Sequence, residues 1–263
     1  MEVKDKNKKI NDKHIVAQAK DATKNLNPLD FSINEEPGQI YSYEKSKMQK
    51  SEKIVLAEYI VKKYIKDFLA VAIDAGTTQQ AIIEEMMSQR SFLSILTNNM
   101  TAFKLNSRQN VDKTGNEFIL TGGKYVALFD ALLGEETLNS FNVFIPNILI
   151  IGVSGLDVEK GFLCHGNDEV SVKRYLFNKK VDTLIIPADY NKLGKADSYP
   201  FGSIDEFKNR KETKCVIVAC PPVNDFHENM NKKVKSEKLE LFSTNVKKFQ
   251  DKGINVDVVE LNS

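Results

Sequence analysis

From Glu44 onward the chain alternates short apolar runs with stretches whose apolar residues recur at helical spacing, and this alternation is the tightest constraint on its fold. Ile54, Val55, Leu56, Tyr59, Ile60, Tyr64 and Ile65 mark one amphipathic pattern through a lysine-rich segment. They predict a long helix that ends near Lys66. Apolar runs at 68–73, 92–96, 117–120, 147–152, 183–187, 215–219 and 255–260 predict strands, with helical patterns at 79–88, 100–105, 168–178 and 236–250 between them. Strands and helices in this order form a mostly parallel sheet flanked by helices, so the expected class is α/β. One continuous domain is expected over 45–263, with an entry helix at 45–66 and the α/β core at 67–263.

Residues 1–44 break the pattern. They are rich in Lys, Asn and Asp and end in Asn34-Glu35-Glu36-Pro37-Gly38, which invites a turn. Ile10, Ile15, Val16, Ala19 and Ala22 make one thin stripe, enough to dock on something but too little for a separate core. The expectation is an extension or small subdomain, partly disordered, that offers a contact for a protein partner.

Charge and cysteine content remove several function classes. Lys+Arg number 37 against 36 Asp+Glu, so there is no global basic field of the kind that accompanies nucleic-acid binding. Cys164, Cys215 and Cys220, with His14, His165 and His227, show no metal-ligand spacing, so neither a metal nor a cofactor is expected. An odd cysteine count without a signal peptide fits a reducing cytoplasm. The longest apolar stretch, 143–153, contains Pro146 and Asn147 and falls well short of the roughly 20 residues that span a bilayer. It reads as a buried strand, and no membrane association is expected.

In an open α/β sheet, ligands bind outside the carboxyl ends of the strands, so the residues just after each run are the candidates for chemistry. After the first come Asp74-Ala75-Gly76-Thr77-Thr78, where a tight turn and two hydroxyls at a helix start form an anion cradle. The same residues also suit a plain strand–helix turn. Later runs end in Thr97-Asn98, Gly122-Gly123 and Gly152, all small and polar. Such residues also serve ordinary turns. Glu169 and Lys173 are spaced for an exposed ion pair on one helix face, while Asp189 and Lys192 follow the 183–187 run at the same sheet edge. Cys164 and His165 are neighbours in an extended segment and should point oppositely, which argues against a shared thiolate–imidazole site.

Taken in order, Ile73-Asp74-Ala75-Gly76-Thr77-Thr78, Leu96-Thr97-Asn98-Asn99, Leu120-Thr121-Gly122-Gly123, Gly152-Val153-Ser154-Gly155-Leu156-Asp157, Glu169-x-x-x-Lys173 and Ala188-Asp189-x-x-Lys192-Leu193-Gly194 resemble the sensor domain of DeoR-type transcription regulators. The match covers about residues 48–260. The resemblance implies the α/β fold shared with ribose-5-phosphate isomerase and coenzyme A transferases, and a pocket for a phosphorylated sugar or related metabolite. It implies that Asp74, Gly76, Thr77, Thr78, Thr97, Asn98, Gly122, Gly123, Gly152, Glu169, Lys173, Asp189 and Lys192 line that pocket, with Lys192 and the Thr77/Thr78 cradle on the phosphate. It also implies a homo-oligomer, dimer or tetramer, and the entry helix is a candidate interface.

One departure stands out. The family's winged helix-turn-helix carries an arginine-rich recognition helix, whereas here no Arg occurs before Arg90 and residues 1–44 lack three apolar helical patterns. Arg dominates bidentate base reading and Lys replaces it poorly. The expected function is therefore a non-catalytic ligand sensor that signals to a partner or sister subunit and does not bind a specific DNA site alone. Two alternatives stand beside it. One is an aldose–ketose isomerase acting on a sugar phosphate, with Glu169 or Asp189 as base and Lys192 polarising the oxygen, although the isomerases' Asp-Gly-Ala-Asp-Glu and Lys-Gly-Gly-Gly segments are missing. The other is a transcription regulator with an atypical DNA-binding element within residues 1–66.

Overall fold

The structure is a computed structural model that describes residues 45–106, 114–223 and 232–261. The extension expected at 1–44, His14 and His227 lie outside the described residues. In chain order the elements are α1 (Lys50–Tyr64), β1 (Ala70–Ile73), α2 (Thr77–Gln89), β2 (Ser94–Thr97), α3 (Met100–Asn106), β3 (Glu117–Leu120), β4 (Lys124–Val126) and β5 (Ala131–Leu133). There follow α4 (Glu135–Val143), β6 (Ile148–Ile150), β7 (Gly155–Asp157), β8 (Gly161–Cys164), α5 (Asn167–Asn178) and β9 (Thr183–Asp189). The last elements are β10 (Tyr199–Gly202), α6 (Ile204–Lys208), β11 (Lys214–Cys220), α7 (Lys232–Asp251) and β12 (Val256–Val258).

The seven expected strands form one parallel sheet in the order β12-β11-β9-β6-β1-β2-β3. Strand alternation sends successive side chains to opposite faces, and both faces are apolar because both are covered. On β9, Leu184, Ile186 and Ala188 enter one core while Ile185 enters the other; on β11, Ile217 and Ala219 oppose Val216, Val218 and Cys220. One layer is closed by α1 and α2 through Leu56, Ile60, Ile82, Ile83 and Met86. The opposite layer holds Phe141, Phe162, Phe177, Phe201, Phe207 and Phe249.

The small antiparallel pieces are absent from the sequence reading. β10-β8-β7 form a three-stranded sheet, and β4-β5 form a hairpin. Their strands are three or four residues long, too short for a period-2 pattern to stand out. One expectation is corrected. The 143–153 stretch is a strand only at Ile148–Ile150, because Val143 ends α4 and is exposed, as is Ile145 in the connection that follows. The entry helix buries one face, Leu56, Ala57, Ile60 and Val61, in the core.

The strand order reverses at β1. The chain runs from β1 outward through β2 to β3, then returns to place β6 on the other side of β1. That reversal leaves a crevice at the carboxyl ends of β1 and β6, the usual ligand position in such sheets.

Candidate functional site

A cavity of about 500 Å³ opens at this crevice. β1 delivers Ala75, Gly76, Thr77, Thr78 and Gln79 to its wall, β6 delivers Gly152, Val153 and Ser154, and β9 delivers Asp189, Asn191 and Lys192. Cys164 at the end of β8, His165 after it, and Glu169 and Lys173 of α5 complete the lining. Leu128 and Phe129, at the tip of the β4–β5 hairpin, add an apolar edge.

The tight turn expected at the start of α2 is formed. Gly76 adopts a φ of 150°, which an L side chain rarely takes, and the helix begins at Thr77. Lys192 Nζ donates to Thr78 Oγ1 at 3.1 Å and lies 3.4 Å from Asp189 Oδ2. Asp189 is buried, and its other oxygen accepts the Asn191 N–H. A cation, two hydroxyls and the amino end of a helix therefore meet at one wall, an arrangement suited to an anion.

Gln79 lies between the two glycines of this wall. A Cβ on Gly76 would fall 2.4 Å from its Oε1, and a Cβ on Gly152 would fall 2.4 Å from its Nε2. Both glycines therefore make room for this amide. Gln79 is 2% exposed, and its Nε2 is a buried donor without a hydrogen-bond partner among the described residues. A buried, unmatched donor on a cavity wall fits a polar ligand group.

Lys173 lines the cavity and pairs with Asp74, a candidate that does not line it. Lys173 Nζ donates to Asp74 Oδ2 at 2.5 Å and to the Gly152 carbonyl at 2.9 Å, and Asp74 Oδ1 accepts the Gly152 N–H at 2.8 Å. Burial alone would pull the Lys173 ammonium down, but Asp74 and then Glu169 hold it above its ordinary value. Burial pushes the Asp74 carboxyl up against the opposing pull of Lys173. The surface ion pair expected for Glu169 and Lys173 is thus corrected: Lys173 is buried and bonded to Asp74, with Glu169 Oε1 farther away at 3.7 Å.

Besides Asp74, four candidates do not line the cavity. Thr97 ends β2 and Asn98 follows it, and Gly122 and Gly123 follow β3, on the far side of β1 from the crevice. Thr97 Oγ1 accepts the Asn99 N–H. Asn98 ties the β4–β5 hairpin to the sheet, donating from Nδ2 to the Leu132 carbonyl at 2.9 Å. Gly122 pairs with α4, its N–H donating to Ser140 Oγ and its carbonyl accepting the Thr137 hydroxyl. Gly123 is a packing position: its φ is 127°, and a Cβ there would fall 2.2 Å from Thr137 Oγ1.

Several lining residues were not legible as such. Lys45, Met48, Gln49 and Lys53, at and ahead of the start of α1, roof the cavity from a segment remote from every strand end. Lys195 and Asp197 follow the same β9 loop as Lys192. Cys164 and His165 both line the cavity although they are neighbours in sequence. His165 Nδ1 lies 3.6 Å from Asp197, while burial pushes the Cys164 thiol up to about 12, so no thiolate forms there. Among the described residues, no group of three or more His, Cys, Asp and Glu is placed to hold a metal ion, and no helix is long and apolar enough to cross a membrane.

Comparison with known proteins follows the same lines. The family model described as the DeoR C-terminal sensor domain matches residues 48–209, more than half the chain. A glycerol-3-phosphate regulon repressor of Haemophilus influenzae is 29% identical over 146 residues, covering 56% of this chain and 54% of the repressor. The chain spans about half the length of the curated relatives it matches. Among solved structures, a probable sor operon regulator from Shigella flexneri aligns with a TM-score of 0.39 at 10% identity, covering 73% of this chain and 89% of the regulator. Ribose 5-phosphate isomerase A from Neisseria gonorrhoeae aligns with a TM-score of 0.37 at 16% identity, covering 55% of this chain and 53% of the isomerase. With the ordered motifs and the strand-end cavity in place, the family model settles the assignment: this chain belongs to the DeoR family through its C-terminal sensor domain.

Proposed function

We propose that the cavity at the β1/β6 crevice binds a small phosphorylated metabolite, a sugar or polyol phosphate or a nucleotide-derived compound, and that binding is the signal and no reaction follows. The observation that carries this reading is the Lys192 ammonium, seated on Thr78 at the amino end of α2 beside the unmatched Gln79 amide. Lys192 and the helix end supply the charge for a phosphate, and Gln79 supplies a donor for a neutral oxygen. The regulon named for its relatives makes glycerol 3-phosphate the first compound to try. In this reading the sensor acts within a dimer or tetramer and passes its signal to a sister subunit or to a partner held by residues 1–44.

The test is thermal stability and calorimetry against sugar phosphates, glycerol 3-phosphate, nucleotides and the matching unphosphorylated compounds. A ligand at 100 times its Kd adds roughly 2.7 kcal/mol to the native state, enough to read directly. Stabilisation by a phosphorylated compound, lost in Lys192→Ala and Thr77→Ala, is expected. Stabilisation by unphosphorylated compounds alone would defeat the reading.

A second reading, isomerisation of a sugar phosphate, draws on Glu169 and Asp189 facing the same cavity as Lys192. Recovery of the stabilising compound as its aldose or ketose isomer would establish it; recovery unchanged excludes it.

A further inference from the structure

The chain enters α1 across the mouth of the cavity, and one lysine serves both. Lys53 is 6% exposed and lines the cavity. Its Nζ donates to the carbonyls of Lys45 at 2.5 Å and Met48 at 2.6 Å, closing the turn that leads into the helix. An ammonium has three donors, so one remains for the space that Lys53 lines. Lys192 lines the same space from the β9 loop, close enough for the two ammonium groups to repel. Of the carboxylates, Asp189 is already committed to Lys192 and the Asn191 N–H, and Glu52 to the Val223 N–H. Two cations that line one cavity from separate elements, one of them without a carboxylate of its own, suit a multiply charged anion seated between them.

We propose that Lys53 is a second phosphate ligand of this cavity, and that it couples occupancy to the turn at 45–49 because the same ammonium holds that turn in place. The inference rests on the cavity being a phosphate site and adds the element that carries the signal: the chain segment leading out of the sensor domain toward residues 1–44. It also explains why α1 begins where it does. Gln49, just ahead of the helix, adopts a φ of 47°, so the segment before it is set by the Lys53 contacts and not by continuation of the helix.

A protonic signature accompanies the geometry. Burial, then Lys192, lowers Lys53 to about 8 in the empty cavity, with Asp189 raising it, Lys45 lowering it and Glu52 raising it more weakly. A phosphate monoester is already a dianion at pH 8, so a proton taken up on binding comes to the protein.

The experiment is calorimetry of the full chain with glycerol 3-phosphate, ribose 5-phosphate and inorganic phosphate at pH 8, in two buffers of different ionisation enthalpy. Wild type is expected to take up about half a proton per ligand, since Lys53 is half-protonated in the empty cavity and protonated in the filled one. Lys53→Gln is expected to bind about tenfold more weakly or worse and to lose that uptake, while Lys53→Arg retains binding. Hydrogen exchange at 45–49 is expected to change on ligand addition in wild type and not in Lys53→Gln. Binding by Lys53→Gln at wild-type strength, with Lys192→Ala inactive, would overturn the role of Lys53 and leave the site intact. Unchanged hydrogen exchange at 45–49 when a bound phosphate saturates wild type overturns it without any variant, should Lys53→Gln fail to fold. Failure of wild type to bind any of the three phosphates overturns both this inference and the site it rests on.

Discussion

Lys173 and Asp74, 99 positions apart in sequence, form a buried ion pair at 2.5 Å that joins the middle of α5 to the end of β1 beside the cavity. Their side chains are only 7% and 2% exposed, so each charge depends on the other. Lys173→Met strands the Asp74 carboxylate and is expected to cost about 3–5 kcal/mol in urea unfolding. Asp74→Asn added to Lys173→Met should recover part of the loss, since the neutral amide no longer needs a counter-charge. Equal stability of Lys173→Met and wild type would show that the pair does not hold α5 to β1.

Stability should rise with pH in a window where most proteins gain nothing. The folded-state value of Lys53, about 8, lies below its ordinary 10.5, so between these limits the unfolded chain holds a proton that the folded one has released. The burden of the buried charge is therefore complete below pH 8 and is relieved as pH rises toward 10.5. Urea unfolding between pH 7.5 and 9.5 is expected to show wild type gaining on Lys53→Gln by up to about 1.4 kcal/mol per pH unit. Parallel curves for the two proteins would contradict the assignment.

Two glycine substitutions should separate binding from folding. Gly152→Ala pushes on the end of the Gln79 side chain at the cavity wall, and is expected to weaken glycerol 3-phosphate binding by about tenfold. Gly123→Ala meets the Leu133 carbonyl at 2.8 Å as well as Thr137, at a φ that alanine resists. It should cost at least about 2 kcal/mol of stability yet bind as wild type once folded. Reversal of the two phenotypes would exchange the roles given to these turns.

The buried cysteines should be inert. Cys164 and Cys220 are at most 1% exposed, and burial raises both thiols. The half-buried Cys215 is raised to about 11, again by burial. A disulfide reagent at neutral pH is expected to find no fast thiol in the native protein and all three after denaturation. One rapidly modified cysteine, located by mass spectrometry, would show which assignment fails.

DNA binding offers the last test. With no Arg before Arg90 and a net charge of +1, the chain is expected to bind DNA only weakly and without sequence preference. Fluorescence anisotropy at physiological salt measures this directly; a selective nanomolar footprint would refute it.

The sheet was legible in the sequence because its signal is local and repeated. The inner strands are runs such as those within Thr183–Asp189 and Lys214–Cys220, whose middles are buried on both faces and therefore apolar. The small strands β7, β8 and β10 carry no such signal, since Gly155, Gly161 and Pro200 interrupt them and their pairing joins distant segments.

The site divides the same way. Turn chemistry alone determined that Gly76, Thr77, Thr78, Gly152, Asp189 and Lys192 stand at the carboxyl ends of strands, because glycine, hydroxyls and a trailing lysine mark a strand–helix turn wherever the strand lies in the sheet. Strand order decided which of these turns face one another. Thr97, Asn98, Gly122 and Gly123 have equally suitable residues, yet β2 and β3 lie on the wrong side of β1, and order depends on long-range pairing that leaves no local trace. Tertiary packing also brought Lys45 and Lys53 over the cavity and buried Lys173 against Asp74. A lysine reads the same in sequence whether its ammonium meets water or a carboxylate, and only the fold fixes which one surrounds it.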